Sequence, residues 1–471
     1  MKMERELIER FRKIVGAAHA ITDQALIAPY LLEERGLFHG RTPLLLRPAS
    51  TVEVSSIMKL ASQTRTPIVP QGGNTGLVGG QQPDKNGCSV LLSMERLNKI
   101  RCINLEGDFA VVEAGVILQT LQKKVDESGR FFPLSLASEG SCQIGGNLSS
   151  NAGGTAVLAY GNMRELCLGL EVVLPDGRIL EDLRFVKKDN SGYDLKNLFI
   201  GAEGTLGVIT AAVLKLFPKI KGKAVAFVGL HSPGKALEFL SLAQCQGGGM
   251  LTGFELMGKL SLQMALKYKM CERHLFEHEH EWYVLLNISS LQGNDEALSV
   301  LSTILEQSLK DAVIEDAIIA QSLKQQDFFW KLRESISYAQ KLAGGSIKHD
   351  IAVPLASIPD FISEAALIVE DIAPGARVVC FGHMGDGNLH YNVTQPVGSD
   401  TATFLQLWSP MNHRIHGLVM RYQGTFSAEH GIGQLKREEL RTFKSPVALD
   451  IMQKIKKTLD PLGIMNPGKI L

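Results

Sequence analysis

Apolar runs and amphipathic segments alternate along the first part of the chain, to about residue 217. PLLLRP at 43–48 has the composition of a strand and leads into the helical segment ASTVEVSSIMKLASQ. Ser50 followed by Glu53 predicts a capping box that opens this helix. TPIVP, CSVLLSM and FAVVEAGV then predict further strands, and ILQTLQKKVDESG a further helix. This alternation predicts an α+β or α/β domain.

The pattern changes after KLFPKIKG at 215–222. Longer amphipathic segments alternate there with strands such as WYVLLNISS. The end of the chain, ALDIMQKIKKTLDPLGIMNPGKIL, predicts a terminal helix followed by a proline-containing strap. We therefore predict three parts, spanning residues 1–218, 219–424 and 425–471.

GHMGDGNLHYN at 382–392 joins two predicted strands through a turn. ARVVCF before it is β-branched and apolar, LHYNVT after it alternates as a half-buried strand does, and GDGN has strong turn chemistry. Pairing of the two strands brings His383 and His390 together at the mouth of the hairpin. Two imidazoles on rigid strands suit a metal ion, although two ordinary polar residues on a hairpin tip fit this stretch equally well.

Two glycine-rich stretches, at 72–80 and 140–154, indicate where a cofactor binds. Glycines let consecutive backbone N–H groups curl around phosphate oxygens. The order is neither G-x-G-x-x-G nor a Walker loop, which excludes the Rossmann fingerprint and the P-loop. Each stretch alone fits a tight turn. Two of them, followed by EGTLGVIT at 203–210, favour a large nucleotide cofactor.

The composition describes a globular protein with no charge bias. A chain of 471 residues is too long for one core, and 49 basic residues against 49 acidic ones leave no electrostatic footprint for nucleic acid. The seven cysteines are scattered, with no C-x-x-C pair, which favours a reducing compartment over iron–sulfur or structural zinc sites. We read the polar run ERHLFEHEHEW at 272–282 as a solvated loop rather than a metal site.

The expected location is the cytoplasm of a bacterium. The first residues, MKMERELIERFRKIVG, mix acidic and basic side chains on a helical pattern, unlike a signal or transit peptide. No run of about 18 apolar residues predicts a membrane span.

Several long motifs resemble one flavoprotein family. PQGGNTGLVGG, IGGNLSSNAGG, YGNMRELCLGLEVVLPDGRIL, GAEGTLGVIT and NPGKIL are similar to those of the vanillyl-alcohol oxidase superfamily, and within it to the FAD-dependent D-2-hydroxyacid dehydrogenases. The resemblance covers essentially the whole chain. It implies an α+β fold with a two-subdomain FAD-binding domain, an α+β substrate domain with an antiparallel sheet that covers the flavin ring, and a final segment that packs back on the FAD domain.

The resemblance also implies which residues hold FAD. The first loop would wrap the pyrophosphate, the second would line the flavin, and two later residues would contact the ribose or adenine side. FAD is expected to be noncovalent, because Cys142 is the only covalent candidate in these loops. The implied residues are Pro70, Gly72, Gly73, Asn74, Thr75, Gly76, Leu77, Ser138, Gly140, Ser141, Gly145, Gly146, Asn151, Glu203 and Ile209.

A metal centre follows from the same resemblance. Metal-dependent members carry both GHxGDGNLHxN and SAEHGIG, found here at 427–433, so that His383, His390 and Glu429 would bind one divalent ion, zinc as the first guess. His430 is the candidate base for the alcohol proton, although a merely structural role is an alternative. Asn392, on the same strand face as His390, would contact the substrate carboxylate.

A third group of residues would determine substrate specificity, namely Arg333, Ser337 and Lys348. Arg333 and Ser337 lie four apart on a predicted helix and therefore share a face, although a surface helix end explains them as well. With Lys348 they resemble the pattern by which D-2-hydroxyglutarate dehydrogenases hold the distal carboxylate; Ser337 replaces a common Thr, and His349 stands where a Tyr is found. Lactate-type relatives lack the lysine.

The resulting expectation is an FAD- and metal-dependent dehydrogenase of D-2-hydroxyglutarate or a close diacid, with hydride transfer to the flavin. The alternatives are a D-lactate or glycolate dehydrogenase, or a flavin-bound electron-relay subunit. Resemblance alone favours electron-transfer flavoprotein or a quinone as electron acceptor, and a homodimer.

Overall fold

The structure, a computed structural model, describes residues 3–268 and 275–471. Cys271 and the first residues of the polar run at 272–282 lie outside the described residues. The rest of that run is irregular, and Glu277–Glu279 are exposed. Within the described ranges, no helix combines the length and the apolar character that crossing a membrane requires.

Seventeen helices are found in the described part of the chain. Their bounds are α1 Arg5–Val15, α2 Gln24–Leu31, α3 Thr51–Thr64, α4 Leu118–Glu127, α5 Ile144–Ser149, α6 Val157–Tyr160, α7 Met163–Leu166, α8 Lys196–Phe199, α9 Pro233–Gly247, α10 Lys259–Lys267, α11 Asn294–Lys310, α12 Leu323–Leu342, α13 Ile358–Ile372, α14 Thr401–Leu405, α15 Trp408–Arg421, α16 Arg437–Phe443 and α17 Pro446–Leu459.

Nineteen strands are found among the same residues. Their bounds are β1 Ala20–Ile21, β2 Leu45–Leu46, β3 Ile68–Gln71, β4 Val90–Ser93, β5 Ile100–Asn104, β6 Phe109–Glu113, β7 Arg130–Phe131, β8 Cys167–Val173, β9 Ile179–Asp182, β10 Val208–Lys215, β11 Phe217–Pro218, β12 Gly222–Leu230, β13 Leu251–Gly258, β14 Trp282–Ser290, β15 Asp316–Ile319, β16 Ser346–Ile347, β17 Asp350–Ala352, β18 Arg377–His383 and β19 Asn388–Thr394.

The chain divides into two compact units. Unit 1 comprises 1–153, 161–219 and 429–471, and unit 2 comprises 154–160 and 220–428. The short segment 154–160 groups with unit 2 because Leu158 packs against that unit's core. Antiparallel sheets with helices in both units confirm the predicted α+β class.

Unit 1 contains a four-stranded sheet of order β1-β2-β4-β3 and a five-stranded antiparallel sheet of order β5-β6-β10-β8-β9. The helix predicted after Ser50 is confirmed: the Ser50 hydroxyl accepts the Glu53 N–H at 3.2 Å, and α3 begins at Thr51. Val54, Ile57 and Met58 of α3 are fully buried against the first sheet, which explains why this helix covers it.

The last residues of the chain are tied to β3. The Ile68 N–H donates to Ile464 O, and the Asn466 N–H donates to Ile68 O, both at 2.8 Å. Met465 is fully buried. The terminal strap is therefore part of the core of unit 1.

Unit 2 is built on one large antiparallel sheet of order β15-β12-β14-β13-β18-β19-β16, with β17 also paired to β19. The predicted hairpin is confirmed, because β18 and β19 pair with Phe381 opposite His390. Two cores cover the two faces of this sheet. On one face α12 packs through a stripe of apolar residues three or four positions apart, namely Phe329, Leu332, Ile336 and Ala339.

On the opposite face, the side chain of Tyr391 has an unsatisfied polar atom deep in the core. Tyr391 is fully buried, and its hydroxyl has no hydrogen-bond partner among the described residues. A buried hydroxyl without a partner costs about 1–3 kcal/mol.

We expect Tyr391→Phe to raise the midpoint of thermal unfolding by a few degrees. Tyr283→Phe is the matched control, because the Tyr283 hydroxyl accepts the His280 N–H at 2.8 Å and its loss should lower the midpoint. Equal shifts in calorimetry would contradict this prediction.

Candidate active site

Unit 1 contains a solvent-connected cavity of about 890 Å³, which is formed by the two glycine-rich stretches. Ten of the fifteen residues expected at FAD line it, namely Pro70, Gly72, Gly73, Asn74, Thr75, Gly76, Gly145, Gly146, Glu203 and Ile209. His430 lines the same cavity.

The two glycine stretches pack directly against each other. A Cβ on Gly73 would lie 2.0 Å from the carbonyl oxygen of Ser141, so only glycine fits there. A Cβ on Gly146 would meet no atom within 4 Å, because Gly146 faces open space at the cavity wall. The loops therefore leave room for a ligand at Gly146 while they are locked together at Gly73.

Side-chain amides hold the first loop in shape. Asn74 has a φ of 58°, and its Oδ1 accepts Nε2 of Gln82 at 2.9 Å. Its Nδ2 donates to the carbonyl of Leu32 at 2.5 Å. These bonds fix the loop backbone, so that its N–H groups can serve a phosphate.

The other five expected residues do not line the cavity, namely Leu77, Ser138, Gly140, Ser141 and Asn151. Ser141 forms a turn with Ser138 and backs Gly73 from outside. The Oδ1 of Asn151 accepts the Arg164 N–H at 2.9 Å. Cys142 is buried and also absent from the cavity wall, and burial raises the pKa of its thiol.

Thirteen further wall residues were not named individually as FAD contacts, although nine of them lie within the predicted stretches at 72–80, 140–154 and 203–210. Most are neighbours of predicted ones along the same loops, so that proximity in sequence could have found them. Met94 and Ala114 come from the ends of other elements and carried no signal. The thirteen residues are Gln71, Val78, Gly80, Gln81, Met94, Ala114, Gln143, Asn147, Ser149, Ser150, Gly204, Gly207 and Val208.

Glu203 lines the cavity and also holds the loop that follows His430. Its carboxylate accepts the N–H groups of Ile432 and Gly433, both at 2.7 Å. Burial raises the pKa of Glu203 to about 7, which outweighs the opposite effect of the two N–H donors. Glu203 therefore has a structural role within unit 1, in addition to its expected contact with the ribose or adenine of FAD.

His383 and His390 come together as the hairpin register requires. Their ring centroids lie 5.6 Å apart, with the rings nearly perpendicular. Glu429 directly follows Ala428, whose N–H donates to Asp350 O at 3.4 Å. One ligand atom from each of His383, His390 and Glu429 lies within 4.8 Å of the other two.

This donor set fits a divalent ion. Two imidazoles and one carboxylate leave coordination positions for a substrate, as in catalytic rather than structural sites. Atoms that share one ion through bonds of 2.0–2.2 Å lie within about 4 Å of one another, close to the observed spacing.

A fully buried carboxylate lies behind His383. Glu255 on β13 pairs with His383 on β18, and its Oε1 accepts Nδ1 of His383 at 2.6 Å. Its Oε2 accepts Nε of Arg333 at 2.7 Å. Burial alone would raise the pKa of Glu255, but its contacts with His383 and Arg333 outweigh burial and hold the pKa at about 2. Sequence reasoning missed Glu255, although a lone acid within the apolar strand LTGFELMG is a signal of a buried, paired charge.

Arg333 is buried but retains hydrogen-bonding capacity. Its side chain lies over the ring of Phe381, 5.0 Å from the centroid, and only 8% of the residue is exposed. Its Nη2 forms an ion pair with Oε2 of Glu255 at 2.7 Å. A guanidinium has five N–H groups, so Arg333 keeps donors for a carboxylate ligand besides those that face Glu255.

The remaining predicted substrate-binding residues, Asn392, Ser337 and Lys348, differ in their burial and contacts. The Nδ2 of Asn392, which is on the same sheet face as His390, donates to Oε1 of the buried Gln340 at 3.0 Å. Ser337 is exposed on α12, so the structure does not bring it into this buried network. Lys348 is half-buried in the short connection between β16 and β17.

Two family descriptions together match most of the chain. Residues 42–182 match the FAD binding domain, and residues 220–470 match the C-terminal domain of FAD linked oxidases.

Known proteins resemble the chain over nearly its whole length. A probable mitochondrial D-2-hydroxyglutarate dehydrogenase of Oryza sativa subsp. indica is 36% identical over 98% of this chain and 81% of its own. A putative mitochondrial D-lactate dehydrogenase of Schizosaccharomyces pombe is 34% identical over 99% and 90%. The structure of p-cresol methylhydroxylase with substrate bound superposes with a TM-score of 0.78 at 16% identity, over 99% of this chain and 96% of that one.

Fold and site together define a flavoprotein oxidoreductase with the vanillyl-alcohol oxidase fold. More particularly, the chain belongs to the FAD-linked oxidase family, among its FAD-dependent D-2-hydroxyacid dehydrogenases, which act on a CH–OH group.

The cytoplasmic location expected from the sequence is wrong. The relatives from rice and fission yeast are both named as mitochondrial, and this finding contradicts the expectation. The expectation rested on missing targeting signals and on scattered cysteines. Cysteine usage reports on the redox environment, and it does not identify one reducing compartment among several.

Proposed function

We propose that this enzyme oxidises D-2-hydroxyglutarate, or a close D-2-hydroxy diacid, to the 2-keto acid. The observation that carries the proposal is the spacing of three possible metal-ligand atoms, which lie within 4.8 Å of one another. One of these three residues, His383, contacts the same carboxylate, that of Glu255, as the buried Arg333. A metal-ligand set next to a buried guanidinium suits a substrate with a hydroxy-acid end and a second carboxylate.

The cavity of unit 1 would hold FAD without a covalent bond. The glycine stretches at 72–80 and 140–154 would hold the pyrophosphate and the flavin, and FAD supplies a two-electron acceptor for the hydride from C2. His383, His390 and Glu429 would hold one divalent ion, with zinc as the first choice; such an ion supplies Lewis acidity at an alcohol oxygen.

The protein's own side chains would bind the substrate and move its proton. His430 would accept the hydroxyl proton at an imidazole nitrogen, because imidazole titrates near neutral pH. His430 lines the flavin cavity and follows Glu429 directly, so the chain keeps the proposed base next to a proposed ligand.

The proposed carboxylate contacts divide between the two ends of the substrate. Asn392 would donate to the carboxylate at C1, while Arg333 and Lys348 would hold the distal one, with Ser337 at its edge. Electron-transfer flavoprotein or a quinone would reoxidise the flavin, and a homodimer is expected; family resemblance supports both.

The test is a substrate screen on purified, FAD-loaded protein with and without a chelator, followed by flavin absorbance under anaerobic conditions. We expect D-2-hydroxyglutarate to bleach the flavin and the chelator to abolish bleaching by substrate. Turnover that survives chelation would remove the ion from the reaction, and a flavin that no hydroxy acid bleaches would favour an electron-relay subunit.

A D-lactate dehydrogenase is the second candidate, favoured by the name of the fission yeast relative. Lys348 separates the two. We expect Lys348→Ala to lower kcat/KM for D-2-hydroxyglutarate roughly 10- to 100-fold, as a charge-assisted contact worth about 1.5–3 kcal/mol is lost, with little change for D-lactate. Initial rates on both acids give the ratio. An unchanged ratio would remove Lys348 from the substrate site.

A further inference from the structure

Glu255 is the one charged residue of the strand β13, and it is fully buried. An ionised carboxylate in a core is costly unless it is paired and hydrogen-bonded. Here both oxygens are used, one by His383 and the other by Arg333. A single rigid carboxylate therefore touches one candidate metal ligand and one candidate substrate-binding residue.

The two bonds fix how each partner presents its remaining atoms. A carboxylate accepts only, so Nδ1 of His383 carries the proton and Nε2 keeps the lone pair that a metal ion needs. On the other side Nε of Arg333 donates to Oε2 of Glu255, and Nη2 lies 2.7 Å from the same oxygen, so the orientation of the guanidinium is fixed. Both groups are thus oriented by one acid.

We propose that Glu255 is a positioning residue that sets the spacing between the metal ligand His383 and the carboxylate-binding Arg333, and so selects the chain length of the diacid. This inference rests on the proposed function. The oxygens of one carboxylate cannot move independently, so the two partners keep a constant separation. A substrate whose hydroxy-acid end and distal carboxylate match that separation engages both.

The test uses Glu255→Gln in the full-length, FAD-loaded protein. The amide that replaces the carboxylate keeps its shape but has one acceptor oxygen and no charge, so one contact is lost and the other is weakened from a charge-assisted to a neutral hydrogen bond. We expect two changes together. The dissociation constant for Zn²⁺, measured by competition with a chromophoric chelator, should rise about 10- to 100-fold. The ratio of kcat/KM for D-2-hydroxyglutarate over D-lactate should fall at least about fivefold, because Arg333 is no longer held in place.

Two other variants separate this role from general damage. Arg333→Met should lower the substrate ratio but leave Zn²⁺ affinity essentially unchanged. Glu171→Gln removes another buried, paired acid, this one from the sheet of unit 1, where it accepts from Arg101 at 3.0 Å and from Thr210 at 2.8 Å. It should lose thermal stability without changing either the Zn²⁺ affinity or the substrate ratio.

The outcomes that overturn the proposal are specific. If Glu255→Gln loses stability as Glu171→Gln does, but keeps its Zn²⁺ affinity and its substrate ratio, Glu255 has a structural role only. If only the Zn²⁺ affinity or only the substrate ratio changes, Glu255 does not couple His383 to Arg333. If Glu255→Gln does not fold, Glu255→Asp is measured in the same way, because its shorter side chain keeps the charge but cannot reach both partners. Failure of the proposed function would look different, since the wild-type protein would then not oxidise D-2-hydroxyglutarate. Zn²⁺ affinity alone would in that case decide whether Glu255 positions His383.

Discussion

His390→Ala is expected to lower kcat/KM for the 2-hydroxy acid about 10³-fold and to abolish stoichiometric binding of the divalent ion. A Lewis acid at a developing alkoxide supplies several kcal/mol of transition-state stabilisation, and each 1.36 kcal/mol is about tenfold in rate. His390 is one of only three candidate ligands found among the described residues, so its loss leaves two. Metal content by mass spectrometry and initial rates measure both effects.

The fold should survive this substitution. His390 is half-buried on β19, and its ring meets Phe381 at a centroid distance of 5.1 Å, so that a modest loss of packing is expected. His413→Ala is the matched control, since His413 is an exposed histidine on α15 and should keep the ion and full turnover. A His390→Ala protein that retains the ion would exclude His390 as a ligand, and one that retains turnover without the ion would refute the metal's role.

Local patterns predicted the parts of the site that lie on one hairpin or one loop. The turn at GDGN and the alternation of LHYNVT were enough to bring His383 and His390 together, because the register of a tight hairpin follows from its turn. The glycine stretches likewise predicted most of the ten cavity residues, since backbone N–H groups on consecutive residues share one wall.

Rotation of a helix and contacts between distant strands could not be predicted in this way. The spacing of Arg333 and Ser337 places them on roughly the same side of α12, but it does not say which residues turn towards the sheet; Arg333 is buried and Ser337 is exposed. The pairing of Glu255 with His383 joins residues 128 positions apart, and only the order of the strands in the sheet creates it. The contact between Gln340 and Asn392 likewise depends on how α12 packs on the sheet.

Glu203 shows how one residue can serve a purpose that its motif does not reveal. The motif suggested contact with FAD, and Glu203 does line the cavity. Its carboxylate is nevertheless directed at the backbone of Ile432 and Gly433, 229 and 230 positions later, where it fixes the turn after His430. Long-range backbone contacts of this kind have no local sequence signature.

Gly146→Ala is expected to weaken FAD binding roughly 5- to 150-fold while the FAD-free protein stays as stable or becomes more so. Gly146 lies in α5 at the cavity wall, and an added Cβ meets no protein atom within 4 Å, so the methyl group would occupy space that the cofactor needs. An overpacking penalty of about 1–3 kcal/mol corresponds to that range, whereas alanine in a helix is favoured over glycine by up to about 1 kcal/mol. Gly417→Ala is the matched control, because Gly417 lies in α15 and a Cβ there would also meet no atom within 4 Å. The Gly417→Ala protein should gain stability and bind FAD normally. Titration of the FAD-free proteins with FAD, followed by fluorescence quenching, gives both dissociation constants, and wild-type affinity in Gly146→Ala would place the cofactor away from this wall.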